Sequence, residues 1–292
     1  MMYDVIIIGK GPAGISTSLY ARRSNLNVLV IGLDDSALLK AKVIDNYYGT
    51  PHIDGKELLQ NGITQAMNLG VEIKTEEVIS IRKTESNEFP QFEVTTLTNK
   101  YLSKAVVIAS GTKRTLPDIA NLKEYKDKNL SYCAVCDGFF YRGRTAYVLG
   151  DGTYAVSEAL ELEKNAKEVV ILTNGKNLTV TSNKIKVETR KIKAFKGEDR
   201  LSQIVFEDED TINVPSLFIA WKNAGGYDFA RKLGASIQND KIEVNPKMET
   251  SIPGLYACGD VVGSPFQVAK AVYEGEIAGT NCSDYLKNNR NA

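Results

Sequence analysis

Histidine is almost absent from this sequence of 292 residues; His52 is the only one. A multi-histidine metal site is therefore excluded, and any Ser/His/Asp or Cys/His catalysis would have to run through that one side chain. It stands in Gly49-Thr50-Pro51-His52-Ile53-Asp54-Gly55, a turn-rich stretch that reads as a solvated loop. Net charge is absent too, because 36 basic residues balance 36 acidic ones. That balance argues against a generalist nucleic-acid binder and against a polybasic membrane-surface protein. No apolar run approaches the roughly 20 residues that span a bilayer. The longest are strand-sized, of the order of those at 5–8 and 28–31. The opening residues carry no basic stretch and Asp4 interrupts any signal core, so the expectation is a cytoplasmic protein. Four cysteines in such a chain suggest no disulfide framework.

What the chain does have is an ordinary globular composition, 43% apolar and 25% charged, in a length about twice the common domain size of roughly 150 residues. Two domains are expected. Met2-Tyr3-Asp4-Val5-Ile6-Ile7-Ile8 reads as a buried parallel strand. It runs into Gly9-Lys10-Gly11-Pro12-Ala13-Gly14, then a helical pattern through Ile15, Leu19 and Tyr20, then a strand at 27–31. That is one βαβ unit opened by a G-x-G-x-x-G turn. A helix near 55–69, strands at 71–81 and 91–97, and a buried strand at 105–109 follow. The same grammar restarts at 145–149 with Gly150-Asp151-Gly152-Thr153-Tyr154-Ala155, a helix over 155–165 and a strand at 169–172. Near the end, Gly254-Leu255-Tyr256-Ala257-Cys258-Gly259-Asp260 is a strand running into a turn, and a long helix covers 266–286. The expected fold is α/β: two Rossmann-like (three-layer ββα) nucleotide-binding domains, the second inserted in the first. Turn-rich boundaries divide it into 1–115 with 245–292, and 116–244.

Gly9, Gly11 and Gly14 suit a dinucleotide. The first makes the tight turn, the second lets the backbone approach a pyrophosphate, and the third packs helix on strand. The acidic residue expected on the ribose at the end of the second strand is missing: Gly32 stands there, with Asp34 and Asp35 just beyond. Cys133-Ala134-Val135-Cys136 lacks the second ligand pair that a zinc centre needs. A redox dithiol is the better reading, two inert buried cysteines the bland one. Asp137, adjacent in sequence, can move a proton to or from the leaving thiol.

With these motifs in this order the chain resembles the low-molecular-weight thioredoxin reductases over nearly its whole length. The resemblance is carried by Gly9-Lys10-Gly11-Pro12-Ala13-Gly14, Asp45-Asn46-Tyr47-Tyr48-Gly49, Ala109-Ser110-Gly111-Thr112, Cys133-Ala134-Val135-Cys136-Asp137-Gly138-Phe139-Phe140, Gly150 to Ala159, and Gly259-Asp260 followed by Gln267. It implies an FAD domain interrupted by a smaller domain carrying the dithiol, a homodimer, and electron flow from donor to flavin to disulfide to thioredoxin. Carried over, Cys136 faces the flavin, Cys133 attacks the partner disulfide and Asp137 is the acid. FAD contacts fall on Gly9, Gly11, Pro12, Ala13, Gly14, Asn46, Val78, Ser110, Gly111, Gly259, Asp260, Phe266, Gln267 and Val268. No metal site is implied.

The departures from the family cluster in one place. Members that use NADPH end the second βαβ strand in His-Arg-Arg with a further arginine, a guanidinium clamp for the 2′-phosphate. Here Asn174, Gly175 and Thr179 hold those positions, and Lys176 is the one cation left. The following stretch, with Thr179, Val180 and Thr181, forms helices poorly and reads as a strand by 184–187. The family's Gly-x-x-Pro-Asn segment becomes Trp221-Lys222-Asn223, and its Gly-Gly-Gln loop becomes Ser36-Ala37-Leu38-Leu39-Lys40. Gly150, Gly152 and Ala155 then read better as scaffold than as a dinucleotide site. In this respect the chain resembles the ferredoxin-dependent flavin thioredoxin reductases, the nicotinamide-independent branch. The implied donor is ferredoxin, with flavodoxin as the other carrier. Lys184, Lys186, Arg190, Lys191, Lys193 and Lys196, opposed locally only by Glu188, form either a docking face or an ordinary solvated strand. Three rivals stay open: a reductase using NADH or NADPH through a reshaped pocket, a flavin-dependent dithiol oxidase, and a non-catalytic redox sensor. Cys258 reads as a core filler and Cys282 as a helix-face residue.

Overall fold

Runs of β-branched residues bounded by glycine turns make the first strands, and their pairing is parallel because a helix returns the chain each time. The computed structural model describes residues 2–84, 92–112, 116–126, 128–222, 224–239 and 241–289. Strand β1 (Met2–Ile8) leads through the first glycine turn to helix α1 (Pro12–Arg23) and strand β2 (Val28–Ile31). Helix α2 (Gly55–Asn68) is capped by Asp54, whose carboxylate accepts the N–H groups of Lys56 and Glu57. The single strand expected over 71–81 is two, β3 (Glu72–Lys74) and β4 (Val78–Lys83). The first pairs parallel with β2 and the second antiparallel with β5 (Phe92–Thr96), so the chain has to break between them. Gln91, the expected start of the latter strand, lies outside the described residues. Strand β6 (Lys100–Ile108) pairs with β5 along its first half and lies parallel to β1 from Leu102 to Ile108.

In the second unit a 3₁₀ turn over Leu122–Tyr125 precedes β7 (Leu130–Ser131), the one-turn helix α3 (Ala134–Asp137) and a further 3₁₀ turn over Gly138–Tyr141. Strand β8 (Thr145–Leu149), helix α4 (Thr153–Glu163) and strand β9 (Glu168–Leu172) make its βαβ unit. Strand β10 (Ile185–Glu188) pairs parallel with β9, and no helix occupies the connection between them. Leu178 and Val180 of that connection pack on the core where a crossover helix would. A three-stranded antiparallel sheet follows, β11 (Ile192–Lys196), β12 (Gln203–Phe206) and β13 (Thr211–Asn213). Strand β14 (Leu217–Ile219) completes a five-stranded sheet in the order β10-β9-β8-β14-β7.

The chain divides into Met1–Lys113 with Gly225–Ala292, and Arg114–Ala224. The return to the first unit therefore comes at Gly225, earlier than the boundary expected at 245. Helix α5 (Gly226–Lys232) explains the difference: a Cβ at Gly226 would stand 2.2 Å from Ser110 Oγ and 2.7 Å from Ile108 Cγ2, so this helix is built against the first sheet. The hairpin β15 (Ile237–Gln238) and β16 (Lys241–Ile242) and strand β17 (Leu255–Ala257) follow. Strand β17 pairs with β6 beyond the point where β5 leaves it, giving seven strands in that sheet. Helix α6 (Val268–Asn288) lies against α1. Val5, Ile7, Val28, Val30 and Val107 form the core beneath these helices with Cys258 and Cys282, both buried. Among the described residues no helix is long and apolar enough to cross a membrane.

Candidate functional site

Two constellations stand out, one in each unit. In the first, Gly9 has φ +113°, and a Cβ there would lie 2.3 Å from the Ala109 carbonyl oxygen. Gly14 is equally constrained, with a Cβ 1.9 Å from the Gly9 oxygen. The two glycines let β1, β6 and α1 meet without a side chain between them. Pro12 opens α1, no side chain caps its N-terminus and no acid sits in its first turn. The uncapped end of the helix is thus left for an anion. Gly259, at φ +80°, brings the late Gly-Asp turn against the same place: its Cβ would be 2.7 Å from Ala13 Cβ. Burial raises the Asp260 carboxyl, with Lys270 pulling the other way. Ser110 Oγ, at the end of β6, is buried without a hydrogen-bond partner, the mark of a polar group awaiting a ligand. Asn46 Nδ2 donates to Gln267 Oε1 at 3.0 Å, joining the Asp45–Gly49 motif to the start of α6. Phe266 is exposed and Val78 buried. The cradle fits a dinucleotide.

Two features of this unit escape sequence reasoning. Lys10, in the glycine turn, is buried; it pairs with Asp34 Oδ1 at 2.6 Å and donates to Thr75 at 2.6 Å. Its side chain crosses Gly32, whose Cβ would stand 2.9 Å from Lys10 N and 3.3 Å from Lys10 Cγ. No acid can occupy position 32, which accounts for the missing ribose residue. Lys270 donates to the carbonyls of Gly259 and Gly263 at 2.8 and 2.5 Å, and Glu274 accepts the Gly259 N–H at 2.8 Å. Together they clamp the turn that carries Asp260. The segment 36–40 is a 3₁₀ turn capped by Ser36, whose Oγ lies 3.5 Å from a Cβ built on Gly11.

In the second unit Cys133 and Cys136 are joined as a disulfide, S–S 2.07 Å. Cys133 precedes α3 and is 1% exposed, whereas Cys136 is exposed. The Cys136 N–H donates to Cys133 Sγ at 3.1 Å. Ser131 links the acid to the pair: its hydroxyl donates to Asp137 Oδ2 at 2.6 Å and accepts the Cys133 N–H at 3.4 Å. On the inner side Glu158, 2% exposed, accepts the Ala134 N–H at 3.0 Å. Burial, and then Asp137, raise the Tyr141 hydroxyl above its ordinary range. Val135, Phe139 and Phe140 form an exposed apolar lip beside the disulfide.

The glycine turn of this unit is held by packing. A Cβ at Gly150 would lie 2.2 Å from the Ala220 oxygen and 2.5 Å from Ala155 Cβ. Asp151 fills the mouth of the turn. Its nearly buried carboxylate pairs with Lys176 and accepts the Lys222 N–H at 3.3 Å. Asn174 turns inward to accept the Ile192 N–H at 2.8 Å. Three of the six residues of the basic run, opposed in sequence by Glu188 alone, are paired in three dimensions. Lys186 pairs with Glu168, Arg190 with Glu188, Asp208 and Asp210, and Lys193 with Glu209. Arg190 also lies over the Phe206 ring at 4.0 Å. Cys258 and Cys282 are buried thiols, Cys258 within 3.5 Å of Thr17 Oγ1, and burial pushes the Cys258 thiol up to about 12.

Residues 3–275 match the family model for the pyridine nucleotide-disulphide oxidoreductases. The chain is 32% identical over 311 residues to the thioredoxin reductase of Ureaplasma parvum serovar 3, covering 99% of this chain and 98% of that protein. Among solved structures it is similar to the atypical thioredoxin reductase TRi from Desulfovibrio vulgaris Hildenborough, with TM-score 0.86 and 35% identity over 97% of this chain and 98% of that one. It is also similar to a ferredoxin-flavin thioredoxin reductase from Clostridium acetobutylicum, with TM-score 0.67 and 28% identity over 98% and 99%.

Proposed function

Because the chain belongs to the pyridine nucleotide-disulphide oxidoreductase family, as a flavin-dependent thioredoxin reductase, we propose that it takes its electrons from reduced ferredoxin and not from a nicotinamide nucleotide. One observation carries the reading. The turn that would hold the nucleotide phosphates has an acid, Asp151, in its mouth, and that acid is tied to Lys176. Asn174 and Gly175 replace a guanidinium clamp, and the helix that would wall the pocket is a coil. Lys191, whose stem lies 3.0 Å from a Cβ built on Gly175, is a single amine beside those positions and offers a 2′-phosphate a point charge in place of a bidentate guanidinium fork. The likeness to a ferredoxin-flavin reductase supports the same reading. Flavodoxin, another single-electron carrier, is the alternative protein donor.

The first unit suits FAD. Gly9, Gly11, Pro12, Ala13 and Gly14 would take the pyrophosphate, and Ser110, Gly111, Asn46 and Val78 would line the site. Gly259 and Asp260 would meet the ribityl region, and Phe266, Gln267 and Val268 the ring, where the start of α6 favours negative charge. When bound, FAD supplies the electron pair that opens the Cys133–Cys136 disulfide. Cys133 then attacks the thioredoxin disulfide, and Cys136 displaces it, releasing reduced thioredoxin and re-forming the enzyme disulfide. Asp137, reached through Ser131, moves the proton that the leaving thiol requires. The molecule acts as a homodimer in this reading, which sedimentation checks.

Anaerobic titration with NADPH, NADH and reduced ferredoxin, following flavin absorbance and free thiols, tests the donor. Bleaching with release of two thiols by ferredoxin alone is the expected result; bleaching by a low concentration of either nucleotide overturns it. Cys133→Ser and Cys136→Ser are each expected to abolish thioredoxin reduction and to retain FAD. Cys136→Ser should accumulate the mixed disulfide with thioredoxin. Accumulation by Cys133→Ser instead would reverse the two roles, a question sharpened by the burial of Cys133.

A further inference from the structure

We propose that Glu158 is a positioning residue that tunes the dithiol, its buried carboxylate holding the reduced cysteines in the thiol form and so making the pair a stronger reductant. The inference rests on the dithiol chemistry of the family and is independent of which donor reduces the flavin. Glu158 lies on α4, which packs against the one-turn helix between the cysteines, and its Oε2 takes the Ala134 N–H at 3.0 Å. Ala134 is the residue after Cys133, so a fixed carboxylate stands one residue from the sulfur that must carry charge during exchange. Both Ala134 and Cys133 are nearly solvent-free, at 2% and 1% exposed, so water screens the pair poorly. The Ala134 N–H, donated to Glu158, is withheld from the Cys133 sulfur, which keeps the Cys136 N–H at 3.1 Å in both wild type and variant.

A like charge close to an ionisable thiol disfavours the thiolate. A thiolate that is not stabilised means a reduced state that is not stabilised, which is the condition for a strongly reducing dithiol. The other ionisable groups on the elements around the dithiol are Asp137 on its own helix, Tyr141 on the 3₁₀ turn, and Tyr154, Glu161 and Glu163 on α4. Of these, Asp137 is bonded to Ser131, and Arg144, just beyond the 3₁₀ turn, is the cation that acts on Tyr141. Tyr141 stays protonated through the working range, its hydroxyl raised by burial.

Glu158→Gln separates charge from position, because the amide oxygen still accepts the Ala134 N–H. Two measurements on the full-length holoenzyme read the effect. The first is the pH dependence of iodoacetamide alkylation after reduction, which should move about one pH unit lower, a roughly tenfold larger thiolate fraction below the wild-type midpoint. The second is the equilibrium with dithiothreitol, in which the enzyme disulfide becomes a dithiol and dithiothreitol becomes its cyclic disulfide, two electrons and two protons being exchanged. Wild type and variant should coincide at low pH and diverge as pH rises. Above both thiol midpoints the variant's reduced form should be favoured about tenfold, equivalent to about 30 mV. A structural role alone gives no such pH-dependent divergence. Glu158→Asp keeps the charge but withdraws it by one methylene, and should shift the alkylation profile the same way by less. Superposition of either variant on the wild type in both measurements overturns the proposal.

Discussion

Gly275→Ala tests whether the contact between α1 and α6 is as tight as the structure places it, and two opposing terms decide the sign. In a helix interior, alanine is favoured over glycine by about 1 kcal/mol. Against this, a Cβ at Gly275 would lie 2.4 Å from the Ala13 carbonyl oxygen, 2.8 Å from Ser16 Cβ and 3.1 Å from Thr17 N. Two of those atoms are backbone, so relief comes only by moving the helices apart. That movement strains the Ser16 hydroxyl bond to the Val272 carbonyl, now 2.7 Å. Overpacking of this kind costs about 1–3 kcal/mol, which exceeds the propensity gain in most of that range. With a backbone oxygen at 2.4 Å the upper part of that range, about 2–3 kcal/mol, applies, so the net expectation is a loss of roughly 1–2 kcal/mol, or roughly 2–8 °C in Tm for a unit of this size. Because Ala13 belongs to the first turn of α1, the variant should also release FAD more readily than its stability loss alone accounts for. Denaturant unfolding and fluorescence of released flavin measure the two effects. Gly62→Ala is the control: its Cβ would meet only the Ile15 side chain, at 3.3 Å, so it should be near neutral. A Gly275→Ala protein as stable as wild type, with equal flavin affinity, would refute the reasoning.

Thiol accessibility follows from burial. After reduction, alkylation of the native protein at pH 8 should modify Cys133 and Cys136 and leave Cys258 and Cys282 unmodified until denaturant is added, as mass spectrometry of peptides reads directly. Cys258 combines full burial with a thiol pushed up to about 12, so early labelling there would contradict the packing. Arg190 holds the Glu188 and Asp210 carboxyls below the usual carboxylate range. A depressed carboxylate contributes stability above its ordinary value and loses it as pH falls through the depressed one. Arg190→Gln should therefore lower the unfolding midpoint at pH 7 and do so less at pH 3; an equal loss at both would assign the effect to the Phe206 contact instead.

Local patterns carried much of this protein. The β-branched strand at 2–8, the glycine turn behind it and the repeat of that design at 145–155 are written within short windows, because a period of two, a glycine spacing and a period of 3.6 are local signals. The dithiol was legible for the same reason, as was the loss of the crossover helix after β9, where threonine and valine stand at positions that a helix disfavours. The expected strand at 71–81 was one strand too few, since what divides it is the identity of its partners, β2 on one side of the break and β5 on the other.

The sequence by itself thus determined the two glycine turns, the closely spaced cysteine pair and the absent arginine clamp, each a matter of which residues stand within a few positions of one another. Tertiary structure alone decided how charge and space are shared. Asp208, Glu209 and Asp210 come from another strand turn to neutralise Arg190 and Lys193. Lys10 occupies the room above Gly32. Glu158 reaches from α4 to the helix of the dithiol, 24 positions away in sequence. Electrostatic and steric forces act across a few ångströms of space without regard to chain separation, so only the folded arrangement tells which charges meet and which are left for a ligand or partner.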